Sequence, residues 1–193
     1  GLEKIAEQGR PLEKVASVAS FFLSRIDVLV DPLLDKKMAE GGPAADIAGS
    51  LQGEVAIASA KVAYQKWKEI FAGQRFERLA ALGAKAQRVL WASTSTKNPA
   101  YSDVKYVEAL IGPETVNTVP MATLNAYRDH GNPAPRLEEG VEEASRCLKR
   151  LGEAGIDLDA VTQQLVEEGI GKFATPFKKL IETLEKKRNS APV

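Results

Sequence analysis

Apolar positions along this chain follow two rhythms, and the rhythms alternate. Leu2, Ile5 and Ala6 sit at helical spacing, with Gly9-Arg10-Pro11 as a stop. Val15-Ala-Ser-Val-Ala-Ser-Phe-Phe-Leu23 is a short apolar run rich in β-branched and aromatic residues, the pattern of a strand buried on both faces of a parallel sheet. It ends at Ser24-Arg25-Ile26-Asp27, and Asp31-Pro32 and Gly41-Gly42-Pro43 predict a long loop behind it. From residue 51 the period becomes helical. Ile57, Ala60, Tyr64, Trp67 and Phe71 form one stripe, with Glu54, Lys61, Lys68 and Glu69 outside it. Gly73 interrupts, residues 76–82 resume the helical character, and Gly83 stops it.

A second buried-strand pattern, Arg88-Val-Leu-Trp-Ala92, leads into the polar loop Ser93-Thr-Ser-Thr-Lys-Asn-Pro99. A helix is expected over about 102–111, closed by Gly112-Pro113, then a third strand, Thr115-Val-Asn-Thr-Val119. Pro120 suits the first position of a helix over 121–129. Strand and helix in strict alternation argue for right-handed βαβ units and a parallel sheet. The last third contains no strand pattern. Residues 138–151 place Val141, Ala144, Leu148 and Leu151 on one helix side, and Asp157 caps a helix over 158–168. Thr175-Pro176 opens a further helix carrying Phe177, Leu180, Ile181 and Leu184 inward. The expected organisation is an α/β part at 1–135 and a helical extension at 136–193 packing on it.

Three parallel strands buried on both faces would leave two long hydrophobic borders open, which natural folds avoid. A closed (β/α)8 barrel needs about 250 residues, and the pieces here match its sixth to eighth units followed by a C-terminal helical extension. A doubly wound open sheet is the competing architecture, but no G-x-G-x-x-G turn follows any strand. The opening residues form an amphipathic turn with neither an initiator Met nor a cap before it, which reads as a piece of a longer chain, with ordinary Met removal after a short start as the alternative.

Composition narrows the function classes. Of 193 residues, 44% are hydrophobic and 27% charged, ordinary for a globular domain and unlike disordered or coiled-coil chains. Lys+Arg and Asp+Glu both total 26, so no global basic field draws nucleic acid. One cysteine, Cys147, has no partner for an internal bridge, which leans towards a reducing cytoplasm. The apolar runs fall far short of the roughly 20 residues that span a bilayer, so no membrane partner is expected.

Sites in parallel α/β proteins gather at the carboxyl ends of strands. That rule selects Ser20, Phe22, Ser24 and Arg25 after the first strand, and Ser93, Thr94, Ser95, Thr96, Lys97 and Asn98 after the second. Each cluster pairs hydroxyls with one cation and is followed by a helix N-terminus, a combination suited to a phosphate dianion. Ser, Thr and Asn also populate caps and turns, so each cluster has a purely local reading too. Elsewhere the chemistry is thin. His130 beside Asp129 makes a Ser-His-Asp triad arithmetically possible, but it fits a solvated turn residue before Gly131-Asn132-Pro133. Cys147 lies mid-helix without metal-ligand spacing. Asp27, Asp31 and Asp35 recur every four residues, yet Pro32 is expected to break any helix aligning them, leaving solvated loop charge. Trp67 and Trp91 suit a core, and the Lys/Arg-rich stretch 178–188 alternates with acids as a helix face does.

Three stretches, Ser17-Val-Ala-Ser-Phe-Phe-Leu-Ser-Arg-Ile-Asp27, Arg88-Val-Leu-Trp-Ala-Ser-Thr-Ser-Thr-Lys-Asn-Pro99 and Val116-Asn-Thr-Val-Pro-Met-Ala-Thr-Leu124, resemble the C-terminal half of the long bacterial transaldolases. Ala56-Ile-Ala-Ser-Ala-Lys-Val-Ala-Tyr64 and Gly155-Ile-Asp-Leu-Asp159 fit as well. The resemblance implies a (β/α)8 barrel that moves a dihydroxyacetone unit from a ketose phosphate, sedoheptulose 7-phosphate or fructose 6-phosphate, to an aldose phosphate. It implies no metal or organic cofactor, because a lysine Schiff base serves as electron sink. It implies further that Ser20 hydrogen-bonds the ketose, that Phe22 packs beside the reaction centre, and that Arg25 clamps the phosphate. Ser93 and Lys97 complete that clamp, where the wider family often has Ser-x-Arg; the longer Ser-Thr-Ser-Thr-Lys here leaves Ser93 and Ser95 as alternatives. The family's Schiff-base lysine lies on a strand absent here, and neither Lys61 nor Lys97 replaces it. The chain is therefore expected to carry the phosphate-binding side alone and to be inactive without the N-terminal half. A non-catalytic helical interaction module and a related Schiff-base aldolase are the competing functions.

Overall fold

A computed structural model describes residues 1–190 of the chain, in two compact units, Gly1–Ile156 and the segment from Asp157 onward. The first unit opens with helix α1 (Leu2–Glu7) and strand β1 (Val18–Phe22). Helices α2 (Leu23–Glu40), α3 (Pro43–Gly49), α4 (Val55–Phe71) and α5 (Gln74–Ala80) follow. Strand β2 (Arg88–Ala92), helix α6 (Lys105–Ala109), strand β3 (Thr115–Asn117), and helices α7 (Met121–His130) and α8 (Val141–Glu153) complete it. The described residues of the second unit form one long helix, α9 (Leu158–Ser190), after Asp157.

The three strands are parallel in the order β1-β2-β3, as the alternating pattern predicts. Register pairs Ser20 with Leu90 and Leu90 with Val116, so these three share one face; Phe21, Trp91 and Asn117 share the other. The second face is the better buried at its centre. Trp91 is fully enclosed, its ring meets Phe21 edge-on at 5.8 Å, and its Nε1–H donates to the Leu110 carbonyl at 3.1 Å. β1 departs from expectation. It was expected to be buried on both faces, yet Val18, Ala19 and Ser20 are exposed, because β1 is a border strand with a neighbour on one side only. β3 is the other border.

The segment after β1 holds the largest correction. Where Asp31-Pro32 predicts a loop, α2 runs unbroken through Pro32 to Glu40. Leu23, Ile26, Val30 and Leu34 recur at three- and four-residue spacing and are almost wholly buried, which outweighs the roughly 3 kcal/mol a proline costs inside a helix. Pro32 lies on the exposed side, as does Val28, whose carbonyl loses its helical donor there and can turn to water. The Gly41-Gly42-Pro43 stop holds, with both glycines at positive φ, and Pro43 then begins α3. The aromatic stripe on α4 forms as expected: Tyr64 stacks on Trp67 at 5.3 Å, Trp67 meets Phe71, and Phe71 meets Phe76 of α5 edge-on at 4.8 Å.

Within the second unit, Asp157 caps α9 as predicted, its Oδ1 accepting the Asp159 N–H at 2.9 Å. Thr175-Pro176 does not open a new helix; α9 continues through it. Phe177, Leu180, Ile181 and Leu184, expected to face inward, are exposed and extend a stripe begun by Val166 and Ile170.

Candidate functional site

The two clusters chosen from sequence meet at adjacent strand ends. Register places Phe22, the last residue of β1, opposite Ala92, the last of β2, so the segments beginning at Leu23 and Ser93 leave the sheet side by side. The Ser24 N–H, in the first turn of α2, donates to the Ser93 carbonyl at 3.1 Å and ties the two together. Ser93 itself adopts φ +53, a left-handed conformation that few non-glycine residues hold without surrounding restraint. The Arg25 guanidinium lies over the Phe22 ring at 4.4 Å. Ser20 lies one pleat back, exposed on the face it shares with Leu90.

After β2 the chain is pinned before it becomes exposed. Thr94 is fully buried and its hydroxyl donates to the Thr118 carbonyl at 2.9 Å, anchoring the loop to the end of β3. The Thr118 hydroxyl in turn donates to the Trp91 carbonyl at 3.0 Å. Beyond Thr94, Ser95 and Thr96 are half-buried, and Lys97 and Asn98 face solvent. Lys97 Nζ donates to the Ser95 hydroxyl at 2.6 Å, so Ser95 rather than Ser93 is the hydroxyl in contact with the loop's cation. Asn98 closes the loop locally, accepting the Ala100 N–H at 2.9 Å.

The helix termini expected behind both clusters contribute less than the sequence suggests. The Ser24 N–H is spent on Ser93, and α6 begins only at Lys105, eight residues past Lys97, because residues 98–104 are taken up by turns. What remains is two hydroxyl-bearing segments, each with one cation, at neighbouring carboxyl ends. Hydroxyl donors and cations of this kind are the groups that bind a small anion.

Behind the strand ends lies a set of residues that sequence reasoning did not assemble. Asp27 and Asp31, one turn apart on α2, are both buried. Asp27 accepts the Ala56 N–H at 2.9 Å and the Tyr106 hydroxyl at 2.7 Å, while Asp31 accepts the Gly53 N–H at 3.0 Å and the Tyr101 hydroxyl at 2.7 Å. Each carboxylate thus spends one oxygen on a backbone N–H, Ala56 in the first turn of α4 or Gly53 just before it, and the other on a tyrosine past residue 98. Lys105 donates to the Gly53 carbonyl and lies over the Tyr101 ring at 3.8 Å. Burial holds the Asp27 carboxyl above its usual range, and burial together with the carboxylates pushes both tyrosines up. Gly53 sits at φ +72, and a Cβ there would fall 2.6 Å from both Lys105 Nζ and the Tyr101 ring, so any other residue is strained and must displace those side chains. The four-residue spacing of the aspartates was the available signal, and Pro32 masked it. The expectation of solvated loop charge is overturned for these two residues; Asp35, further along, is exposed and accepts from Gln52 Nε2 at 2.7 Å.

Other candidates stand apart. Both ring nitrogens of His130 face carboxylates, Asp103 at 2.8 Å and Asp129 at 3.2 Å, which leaves neither for a serine and raises the imidazole's pKa. Lys61 lies on α4, donating to the Glu139 carbonyl at 2.6 Å; burial lowers its pKa. Cys147 is half-buried on α8, its thiol pushed up to about 11 by burial. It borders a cleft of about 550 Å³ between α4 and α8 that contains none of the predicted site residues. Among the described residues no His/Cys/Asp/Glu group is arranged to hold a metal ion, and no helix is long and apolar enough to cross a membrane.

Comparison with known proteins places the chain in a family. Residues 2–184 match the family described as transaldolase/fructose-6-phosphate aldolase. The chain is 50% identical over 192 residues to a transaldolase 2 of Nostoc sp., covering 97% of this chain and 50% of that protein. A transaldolase of Trichodesmium erythraeum is likewise 50% identical over 192 residues. One of Thiobacillus denitrificans is 48% identical over 181 residues, covering 94% of this chain and 49% of that protein. The chain therefore spans about half the length of the curated relatives it matches.

Proposed function

The chain belongs to the transaldolase/fructose-6-phosphate aldolase family, and from that premise we propose that it is the C-terminal, phosphate-binding half of a transaldolase. The complete enzyme moves a dihydroxyacetone unit from sedoheptulose 7-phosphate or fructose 6-phosphate to an aldose phosphate, in the cytoplasmic pentose phosphate pathway. A lysine amine in the other half condenses with the ketose carbonyl, expelling water, and the resulting Schiff base takes up the electron pair when the carbon–carbon bond breaks. In this reading β1, β2 and β3 are strands six to eight of a (β/α)8 barrel, and residues 136–193 are its helical extension. Three features support it: the open borders at β1 and β3, the exposed apolar stripe of α9, and relatives twice as long. The two remaining functions, a helical interaction module and a lyase-type aldolase, predict respectively no sugar-phosphate binding and no need for an acceptor aldose.

The observation that carries the proposal is the pairing of two hydroxyl-and-cation segments at adjacent strand ends, joined through Ser24 and Ser93. Ser20 hydrogen-bonds the ketose and Phe22 packs beside the reacting carbons. Arg25 and Lys97, with Ser93 or Ser95, receive the phosphate. Charge-assisted bonds of this kind contribute roughly 1.5–3 kcal/mol each, or about 10- to 100-fold in kcat/KM. Arg25→Ala in the complete enzyme should therefore narrow the preference for phosphorylated over unphosphorylated substrates by that factor; an unchanged preference sinks the assignment. Borohydride with fructose 6-phosphate should label the complete enzyme and not this chain alone. An adduct on Lys61 or Lys97 would overturn the division of labour.

A further inference from the structure

We propose that Asp31 and Tyr101 are positioning residues that set the reach of the Ser95–Lys97 loop towards the anionic end of the substrate. The inference rests on the phosphate-site reading above and extends it to residues that never touch the ligand. The loop between Ser93 and Lys105 carries Lys97 and Asn98 in solvent beyond the half-buried Ser95 and Thr96, so something must define where that tip stands. Its root is held by the Ser24 N–H on the Ser93 carbonyl and by the Thr94 hydroxyl on the Thr118 carbonyl. Its far end is held by the Tyr101 hydroxyl on Asp31 Oδ2 at 2.7 Å, three residues beyond Asn98. The Tyr101 N–H also returns to the Asn98 carbonyl at 3.1 Å, so a shift of Tyr101 is passed directly into the tip.

Asp31 is suited to this because it lies on the same helix as Arg25. One rigid element, α2, thereby presents Arg25 in its first turn and grips the opposing loop two turns later. Asp31 is itself immobilised: its other oxygen accepts the Gly53 N–H at 3.0 Å, and Lys105 bridges the Gly53 carbonyl and the Tyr101 ring. A buried carboxylate is a costly way to stabilise a helix, since an apolar side chain of similar volume often does as well. What two buried aspartates supply instead is direction, because each accepts from two defined donors on two different segments. Tyr106 on Asp27 has the same chemistry but lies within α6, past the loop, and serves as the internal comparison. A displaced tip weakens a charge-assisted bond to the anionic end of the substrate, remote from the reacting carbons, so the loss falls on binding and appears in KM.

The test compares Tyr101→Phe, Tyr106→Phe and Arg25→Ala in the complete enzyme, with fructose 6-phosphate and fructose as donors. Tyr101→Phe keeps the ring over Lys105 and removes only the hydroxyl. It should raise KM for fructose 6-phosphate about 5- to 20-fold, leave kcat within about twofold, and leave kcat/KM for fructose unchanged. Tyr106→Phe should lower the melting temperature without altering the ratio between the two donors. If Tyr101→Phe leaves that ratio unchanged while Arg25→Ala lowers it, the positioning role is wrong and the phosphate site stands. If both tyrosine variants lower the ratio equally, Tyr101 is only a stabilising residue and the proposal fails. If Arg25→Ala leaves the ratio unchanged, the phosphate-site reading falls and this inference with it.

Discussion

Replacing Gly53 with alanine tests the buried network through stability rather than catalysis. At φ +72 an alanine is held in the left-handed region, which costs at least about 1 kcal/mol. Its Cβ would also lie 2.6 Å from the Tyr101 ring and 2.8 Å from the Tyr101 hydroxyl oxygen, so the tyrosine must retreat from Asp31. A hydrogen bond to a charged group contributes about 1.5–3 kcal/mol, and Tyr101 is half-buried, so the lower end applies where water can replace it. The expected loss is about 2.5 kcal/mol, or about 5–10 °C in melting temperature for a chain of this size. Urea titration followed by tryptophan fluorescence reads it, with Trp91 in the sheet and Trp67 on α4 as reporters. Gly152→Ala is the matched control. Gly152 lies inside α8, with nothing within 4 Å of an added Cβ, so alanine there should stabilise by about 0.5–1 kcal/mol. A Gly53→Ala loss below about 0.5 kcal/mol, or the same sign of change at both positions, would refute the packing argument.

Two further expectations follow from burial of titratable groups. Because burial holds Asp27 above its ordinary value of 3.8, the folded chain keeps that proton to higher pH than the unfolded chain does. The stability this supplies is complete below pH 3.8 and is lost as pH rises through the folded value. The advantage of the parent over Asp27→Asn should therefore be greatest near pH 3.8 and shrink as pH rises above it in urea titrations, and a constant difference contradicts it. For Cys147, a thiol moved from 9.0 to about 11 carries about a hundredfold less thiolate at mild pH. A disulfide reagent should modify it about that much more slowly in the native chain than in urea; equal rates would show that the thiol is not shielded.

Local patterning disclosed the three strands and their parallel direction, because a run such as Arg88-Val-Leu-Trp-Ala92 leaves little choice of period or environment; it also picked out two polar segments that the fold brings side by side. It failed where a single residue type was allowed to outvote packing. Pro32 and Pro176 were both read as boundaries, yet each lies inside a continuous helix. Around Pro32 the loss of one backbone hydrogen bond is a local cost and the buried stripe of α2 a distributed gain; around Pro176 the flanking apolar residues are exposed, and no such stripe accounts for the continuity. The price of that misreading was Asp27 and Asp31, whose partners lie 22 to 79 residues away and leave no mark in the local spacing. Exposure of β1 was likewise not legible. The residues of that run describe the environment of a complete sheet, and the border position of the strand is a property of the chain's neighbours rather than of its own composition.

The bond from the Ser24 amide to the Ser93 carbonyl contains no side chain. Apart from proline at position 24, no single amino-acid replacement removes its donor or its acceptor. The two strand ends are thus joined by groups that every residue carries, while guanidinium, ammonium and hydroxyl are displayed by side chains that the bond does not use. What is tied together and what is shown to a ligand are therefore written in different parts of the same residues.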